Sequence, residues 1–315
     1  MRKFIVSDLH GNGEVYDSIM AYLENISLSE EVELYINGDL IDRGLDSYRM
    51  LEDVYERVSG KGNIKIHYLG GNHELLMYQA LLERQPGEAF NHWSDWIQEG
   101  GYIIEGELGV RDDGEELCEV YKDFLGKLEI YHKFPETING NKLLLVHAQA
   151  PNEIYDECHM KIADNNYEVL KAVWTREEVR EVFLWFVGEV IGYNRIGKDG
   201  YLTIVGHTPV DNENGFIYNS QKGFINIDGG CSKYAHGRFD FDHVPLVEVL
   251  DNHLEILIFN HNNEIIKGYE LSDSIREMNE DKIDNKKLFI NHNYDNNGEE
   301  NKRLIKEIMD DIKQQ

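Results

Sequence analysis

Residues 36–44 read I-N-G-D-L-I-D-R-G, which sets two carboxylates, Asp39 and Asp42, and the guanidinium of Arg43 between glycines. Upstream, Asp8 and His10 stand two apart in D-L-H. Downstream come G-N-H-E at 71–74, His147 in V-H-A and His207 in G-H-T-P. Carboxylate and amide oxygens suit hard divalent cations such as Mn²⁺ or Mg²⁺, and imidazole suits iron and zinc as well as manganese. Asp8, His10 and Asp39 would hold one cation, and Asn72, His147 and His207 a second. Asp39 would give one oxygen to each, because two cations about 3.5–4 Å apart need a shared anion. Asn72 adds an amide oxygen without a further negative charge. A water deprotonated between such cations would attack phosphorus in line with the leaving group, so the set suits phosphoester hydrolysis.

Chemistry of this kind needs elements that bring distant residues together. Apolar runs at 4–6, 32–36 and 64–69 read as strands, and each ends just before one of the first three motifs. Helical periodicity follows each motif: Val15, Ile19, Tyr22 and Leu23; then Leu51, Val54, Tyr55 and Val58; then residues 74–82. Three strand–loop–helix units in a row predict an α/β core with crossover helices. Sites in such sheets lie beyond the carboxyl ends of the strands, which is where Asp8, Asp39 and Asn72 stand. Residues 90–131 read as mainly helical, interrupted at Gly100-Gly101 and at the acidic stretch 111–116. Trp93 and Trp96 recur there at helical spacing and read as packing. Asn139-Gly140 predicts a hairpin turn leading into the strand that ends at His147. A helical insert is expected to include residues 169–187. Further strands at 201–205, 223–227, 245–249 and 254–259 predict a second, largely antiparallel sheet. The fold class expected is α/β, a four-layer α/β/β/α sandwich of two mixed β-sheets flanked by helices. Composition divides the chain into a catalytic unit, 1–270, and a polar extension, 271–315, in which Ile305, Ile308 and Ile312 would give a terminal helix one apolar stripe.

Hydrophobic residues at 41% support a globular core, and no apolar run approaches the roughly 20 residues of a membrane helix. The first ligand-type residue, Asp8, leaves no room for a secretory leader before it. Three scattered cysteines suggest neither a disulfide framework nor a C-x-x-C zinc site, so a reducing cytoplasm is the expected location. A formal net charge of −28 argues against general nucleic-acid binding. It does not exclude an anionic substrate, since bound cations would dominate the local field.

In this order and at these spacings, D-x-H, G-D-x-x-D-R-G, G-N-H-E, H-A and G-H-T-P resemble the calcineurin-like metallophosphoesterase superfamily. Within it the chain is similar to the phosphoprotein phosphatase branch and its compact bacterial and phage members, such as lambda phosphatase. The resemblance covers about residues 1–259. It implies that His73 is the general acid, oriented by Asp42, and that Arg43 contacts substrate phosphate. It makes Arg176, in V-W-T-R-E-E, a candidate second phosphate ligand, although the same stretch reads equally as the start of a solvated helix. Asp228 it implies to be a supporting residue. The implied cofactor is two divalent metal ions, manganese first, with iron, zinc or magnesium as alternatives. The implied partner is a phosphorylated protein, at Ser/Thr and also Tyr, or a small phosphoester, with no membrane. Three positions depart from the pattern. Gly70-Gly71 stands where eukaryotic-like members carry arginine, Ala148-Gln149 follows His147 where relatives carry glycine, and Pro209 follows G-H-T where many phosphodiesterases carry a second histidine. The last departure favours monoesters. The competing readings are a nucleotide hydrolase, acting on a dinucleoside polyphosphate or cyclic phosphodiester, and a non-catalytic phosphate-binding protein on the same fold.

Overall fold

The computed structural model describes the chain except residues 84–91, 177–180, 185–188, 193–196, 211, 213, 235–242, 261–263, 273–274, 279–281 and 283–315. Strands β1 (Arg2–Val6), β2 (Val32–Asn37) and β3 (Ile64–Leu69) alternate with helices α1 (Gly13–Ser27), α2 (Ser47–Val58) and α3 (Asn72–Leu82). Next come α4 (His92–Trp96), a kinked turn at Ile97–Gly101, α5 (Tyr102–Val110) and α6 (Gly114–Gly126). The hairpin β4 (Tyr131–Ile138) and β5 (Asn141–Val146) precedes α7 (Tyr167–Trp174), and β6 (Glu181–Leu184) pairs with β7 (Glu189–Gly192). Then follow β8 (Tyr201–Val205), β9 (Ile217–Asn219), β10 (Phe224–Asn226), the short α8 (Cys231–Tyr234), β11 (Val244–Val249), β12 (Leu254–Phe259), β13 (Ile265–Leu271) and β14 (Ile275–Glu277).

One sheet runs β14-β13-β12-β11-β1-β2-β3 and a second β4-β5-β8-β10-β9. Along each strand alternate side chains face opposite layers. Phe4, Val6, Leu34 and Ile36 pack toward the helices, whereas Ile5 and Tyr35 meet Leu143, Leu145, Ile204 and Ile225 between the sheets. Leu144, Val146 and Val205 face outward with Val169, Ala172 and Val173 of α7. The result is the α/β/β/α sandwich. Asn139 and Gly140, at φ +52° and +77°, make the hairpin turn, since an Asn-Gly pair accepts left-handed backbone at little cost.

Three expectations are corrected. The second sheet is not largely antiparallel, because β5, β8 and β10 run parallel, with antiparallel strands only at its two edges. Residues 244–249 instead pair antiparallel with β1 in the first sheet, Lys3 opposite Val249, and residues 254–259 pair with them there, because β1 is a partner too distant in sequence for local patterning to specify. The helix expected through 169–187 ends at Trp174, where Thr175 turns extended, and Glu181–Leu184, rich in β-formers, is a strand. At the far edge of the first sheet β14 pairs with β13, Leu271 opposite Ile275. The expected helix around Ile305, Ile308 and Ile312 lies outside the described residues.

Candidate metal and phosphate site

Six parallel strands drawn from the two sheets, β1, β2, β3, β5, β8 and β10, run toward one end, and the loops after them carry the chemistry. Asp8 and His10 follow β1, Asp39 to Arg43 follow β2, Asn72 and His73 open α3 after β3, His147 follows β5, His207 follows β8 and Asp228 follows β10. Asn37 ties the sheets together there. Its Nδ2 donates to the Val146 carbonyl (3.2 Å), and its own carbonyl accepts from His147 Nδ1 (2.8 Å). The loops are tightly wound. Among the described residues, Asp8, His10, Asp39, Asp42, Arg43 and His207 have φ between +43° and +72°, a region costly for residues with a Cβ and concentrated at functional sites. Gly38 (φ +77°) has no room for a side chain, because a Cβ would come within 2.6 Å of Gly71 Cα.

Two clusters of ligand atoms lie within reach of a common ion, His10–Asp39–His73 and Asp39–His147–His207, so Asp39 is shared by both. Each imidazole is held by one nitrogen and turns the other inward. His10 Nδ1 faces the Ile41 carbonyl (3.2 Å), His147 Nδ1 that of Asn37 (2.8 Å), His207 Nε2 that of Trp174 (3.1 Å) and His73 Nδ1 the Asp42 carboxylate (2.8 Å). At His10, His147 and His207 the facing group is a carbonyl, which can only accept, so that nitrogen carries a proton and the opposite one is the nitrogen that can turn a lone pair to a metal. Asn72 Oδ1 lies 2.8 Å from His207 Nδ1 and 3.1 Å from His147 Nε2. Swapping the amide would let its nitrogen donate to both rings and to both Asp39 oxygens, at 3.1 and 3.3 Å. With Oδ1 turned toward the rings, one amide oxygen and two ring nitrogens converge beside Asp39, a donor set that fits a divalent ion.

The electrostatics point the same way. Asp8, Asp39, Asp42, Glu74 and Asp228 are all buried, and buried carboxylates need positive charge nearby. Burial pushes Asp8 well up, with Asp228 adding to it. Burial would raise Asp39 too, but His147, His73 and His10 hold it well below the usual carboxylate range. Burial lowers His10 to about 3. Against burial, Asp39 and Asp8 lift His147 to about 10.

Asp8 stands outside both clusters. Its Oδ1 accepts the His207 amide (2.9 Å) and its Oδ2 the Ser7 hydroxyl. His73, expected as an acid, shares a cluster with His10, and their rings meet edge-on at 4.7 Å. Its Nε2 lies 4.0 Å from Asp39 Oδ2 and has no hydrogen-bond partner among the described residues. Arg43 Nη1 lies 3.1 Å from His10 Nε2, and its Nη2 donates to Glu99 (3.2 Å). Arg176 is close enough to His207 to disfavour its protonation, after burial. Sequence reasoning gave no role to two neighbours. Glu74 Oε2 accepts the amides of Asp39 and Gly71 (2.8 Å each), and its Oε1 accepts that of Leu40 (3.1 Å) and the Tyr68 hydroxyl (2.6 Å). Trp96 Nε1 donates to both Asp42 oxygens, at 3.0 and 3.1 Å. The glutamate was visible only as the last letter of G-N-H-E, and nothing in a helical aromatic stripe marks an indole N–H as polar.

Among the described residues, no helix is long and apolar enough to cross a membrane. No curated protein sequence matches the chain significantly. Several solved structures are similar at low identity. A cold-active protein-tyrosine phosphatase from a Shewanella species is 14% identical over 88% of this chain and 80% of its own, with a TM-score of 0.43. A Saccharomyces cerevisiae protein serine/threonine phosphatase is 13% identical over 79% and 72%, at 0.46. A Sphaerobacter thermophilus metallophosphoesterase is 15% identical over 79% and 82%, at 0.36. The profile of the calcineurin-like phosphoesterases matches residues 1–308, and the chain belongs to that family.

Proposed function

We propose that the protein is a dinuclear metal-dependent phosphatase acting on phosphomonoesters, with phosphorylated Ser/Thr side chains of proteins as the favoured substrate class and phosphotyrosine within reach. The observation that carries this reading is the set of imidazoles tied outward, with Asp39 between them. Two divalent cations, manganese first, would supply Lewis acidity and a hydrolytic water active at neutral pH. Asp39 would contact both, with His10 and Asp8 on one side and Asn72, His147 and His207 on the other. Arg43, and Arg176 across the site, would grip phosphoryl oxygens, since a guanidinium fork matches two of them.

His73 would protonate the leaving oxygen from Nε2 as the phosphorus–ester bond breaks, while Asp42 holds Nδ1–H and keeps the ring oriented. Beside His10 and Arg43 opens a cleft of about 400 Å³ whose walls include Glu14, Leu45, Asp46 and Tyr102. Leu45 and Tyr102 are exposed, so the cleft would take the ester group rather than the phosphate.

The deciding experiment compares p-nitrophenyl phosphate with its bis-ester, with Mn²⁺ added, in wild type and His73→Asn. Preferential monoester turnover that collapses in the variant while both metals stay bound is the expected result. Diester preference would move the assignment to a nucleotide hydrolase. Metal binding without turnover of either ester would indicate a phosphate-binding protein. Loss of one metal in the variant would make His73 a ligand, as its cluster with His10 and Asp39 permits.

A further inference from the structure

The segment 92–101 grips two consecutive residues of the proposed catalytic loop by different means. From one side comes Trp96. Its indole is fully buried in the helix-side core, and its N–H is shared between the two oxygens of Asp42, which is itself fully buried. From the other side comes the kinked turn. Gly100, at φ +112°, accepts the Arg43 amide through its carbonyl (3.3 Å), and Glu99 takes the Arg43 guanidinium (3.2 Å).

The fit leaves little slack. A Cβ on Gly100 would come within 2.5 Å of Arg43 N, and one on Gly101 would overlap the Trp96 indole. Asp42 and Arg43 are both in left-handed backbone, at φ +70° and +72°. Two such residues in succession persist only where the surroundings over-determine them. An irregular helical turn at this point fits the tendency of helix kinks to mark functional places.

We propose that residues 92–101 form a clamp in which Trp96 is a positioning residue, fixing the Asp42 carboxylate so that His73 presents Nε2 to the leaving group. The proposal rests on the acid role given to His73 above. The Asp42 carboxylate meets three donor contacts, two from one indole N–H and one from His73 Nδ1. Without the indole, the carboxylate can rotate about its side-chain bonds, and the imidazole it orients turns with it. The phosphate grip and the metal ligands are left in place.

Leaving-group dependence tests this, because an acid matters most where the leaving oxygen is most basic. In metal-loaded enzyme, kcat/KM is measured for a series running from p-nitrophenyl phosphate through phenyl phosphate to an alkyl phosphate. Trp96→Phe should lose at least roughly tenfold more on the alkyl ester than on the p-nitrophenyl ester, a fraction of the 10²–10⁴-fold that general acids contribute. Metal content should stay at the wild-type level. A loss of equal size across the series would overturn the proposal, since that is what a merely structural tryptophan gives, and so would no loss at all.

His73→Asn, run through the same series, separates the two levels. If it steepens the dependence while Trp96→Phe does not, only the clamp is wrong. If it depresses all esters equally, the acid role falls and the clamp with it. Should Trp96→Phe fail to fold, the benzothiophene analogue of tryptophan at position 96 keeps the shape and removes only the N–H. The same steepening is expected of it, and its absence overturns the proposal equally.

Discussion

Glu74 holds Asp39 by the backbone: its Oε2 accepts the Asp39 amide at 2.8 Å and the Gly71 amide at the same distance. The loops after β2 and β3 are thereby fastened to each other through one carboxylate. Asp39 Oδ1 in turn accepts the His73 amide (3.0 Å), which binds the shared carboxylate to the first turn of α3. Glu74→Gln keeps the shape but turns an NH₂ group toward amide or hydroxyl donors. Leaving buried donors unmatched costs about 1–3 kcal/mol. The variant should therefore unfold at lower temperature and bind Mn²⁺ more weakly, as read by thermal melts and metal titration. Unchanged metal affinity would show that the brace does not set the position of Asp39.

The pH dependence of the metal-free protein follows from His147. Its folded pKa, about 10, lies above the usual 6.5 because Asp39 and Asp8 outweigh burial. A raised histidine pKa contributes stability that is fully present below about 6.5 and is lost as pH rises through about 10. The depressed pKa of Asp39 contributes in the opposite sense, present above the usual carboxylate value and lost as pH falls through its folded pKa. With chelator present, the melting temperature should fall between pH 6.5 and 10. Metal must displace the His147 proton, so the gain on adding Mn²⁺ should be larger at pH 8.5 than at 6.5. Equal gains at both would remove His147 from the ligand set.

How much of this was legible depended on whether a residue's partner lay nearby in sequence. The β-α units were visible because apolar runs, turns and helical periodicity are local. The strand-end placement of Asp8, Asp39 and Asn72 followed from that pattern alone. The destination of residues 244–249, and of 254–259 that pair with them, was not visible, because pairing of β11 with β1 is set by packing across some 240 positions. Trp96 was read by its apolar body, which does sit in the core, and its N–H was overlooked. Glu74 lacked a reading because a buried carboxylate declares itself only through the donors that surround it. Asp8 reached the expected region, yet its oxygens answer Ser7 and the His207 amide, an arrangement no spacing rule encodes.

Arg43 offers a test of substrate binding distinct from metal binding. Its guanidinium rests between His10 and the half-exposed Glu99. An exposed ion pair of that sort holds it only weakly, which leaves it able to turn toward a phosphoryl group. Arg43→Ala should lower kcat/KM for p-nitrophenyl phosphate about tenfold to hundredfold, the equivalent of one charged hydrogen bond of roughly 1.5–3 kcal/mol. Most of the change should appear in KM, with metal content intact. Arg43→Lys should recover part of it, since it restores the charge without the fork. A lysine variant equal to wild type would show that charge alone serves at this position.

Asp8 can be examined through a neighbour that takes no part in the chemistry. Gly206 lies against it so closely that a Cβ would overlap both the Asp8 carboxylate and the Ser7 hydroxyl. Gly206→Ala forces the carboxylate away from the His207 amide it now accepts. Overpacking at such a point costs about 1–3 kcal/mol, which a chain with two extensive cores should survive folded. The larger effect should fall on function, with weaker occupancy of the site that Asp8 and His10 are assigned and a parallel drop in turnover. Metal content by elemental analysis, set beside the melting temperature, separates the two. A folded variant with two full equivalents of metal would mean that Asp8 supports the loop at His207 and binds no ion itself.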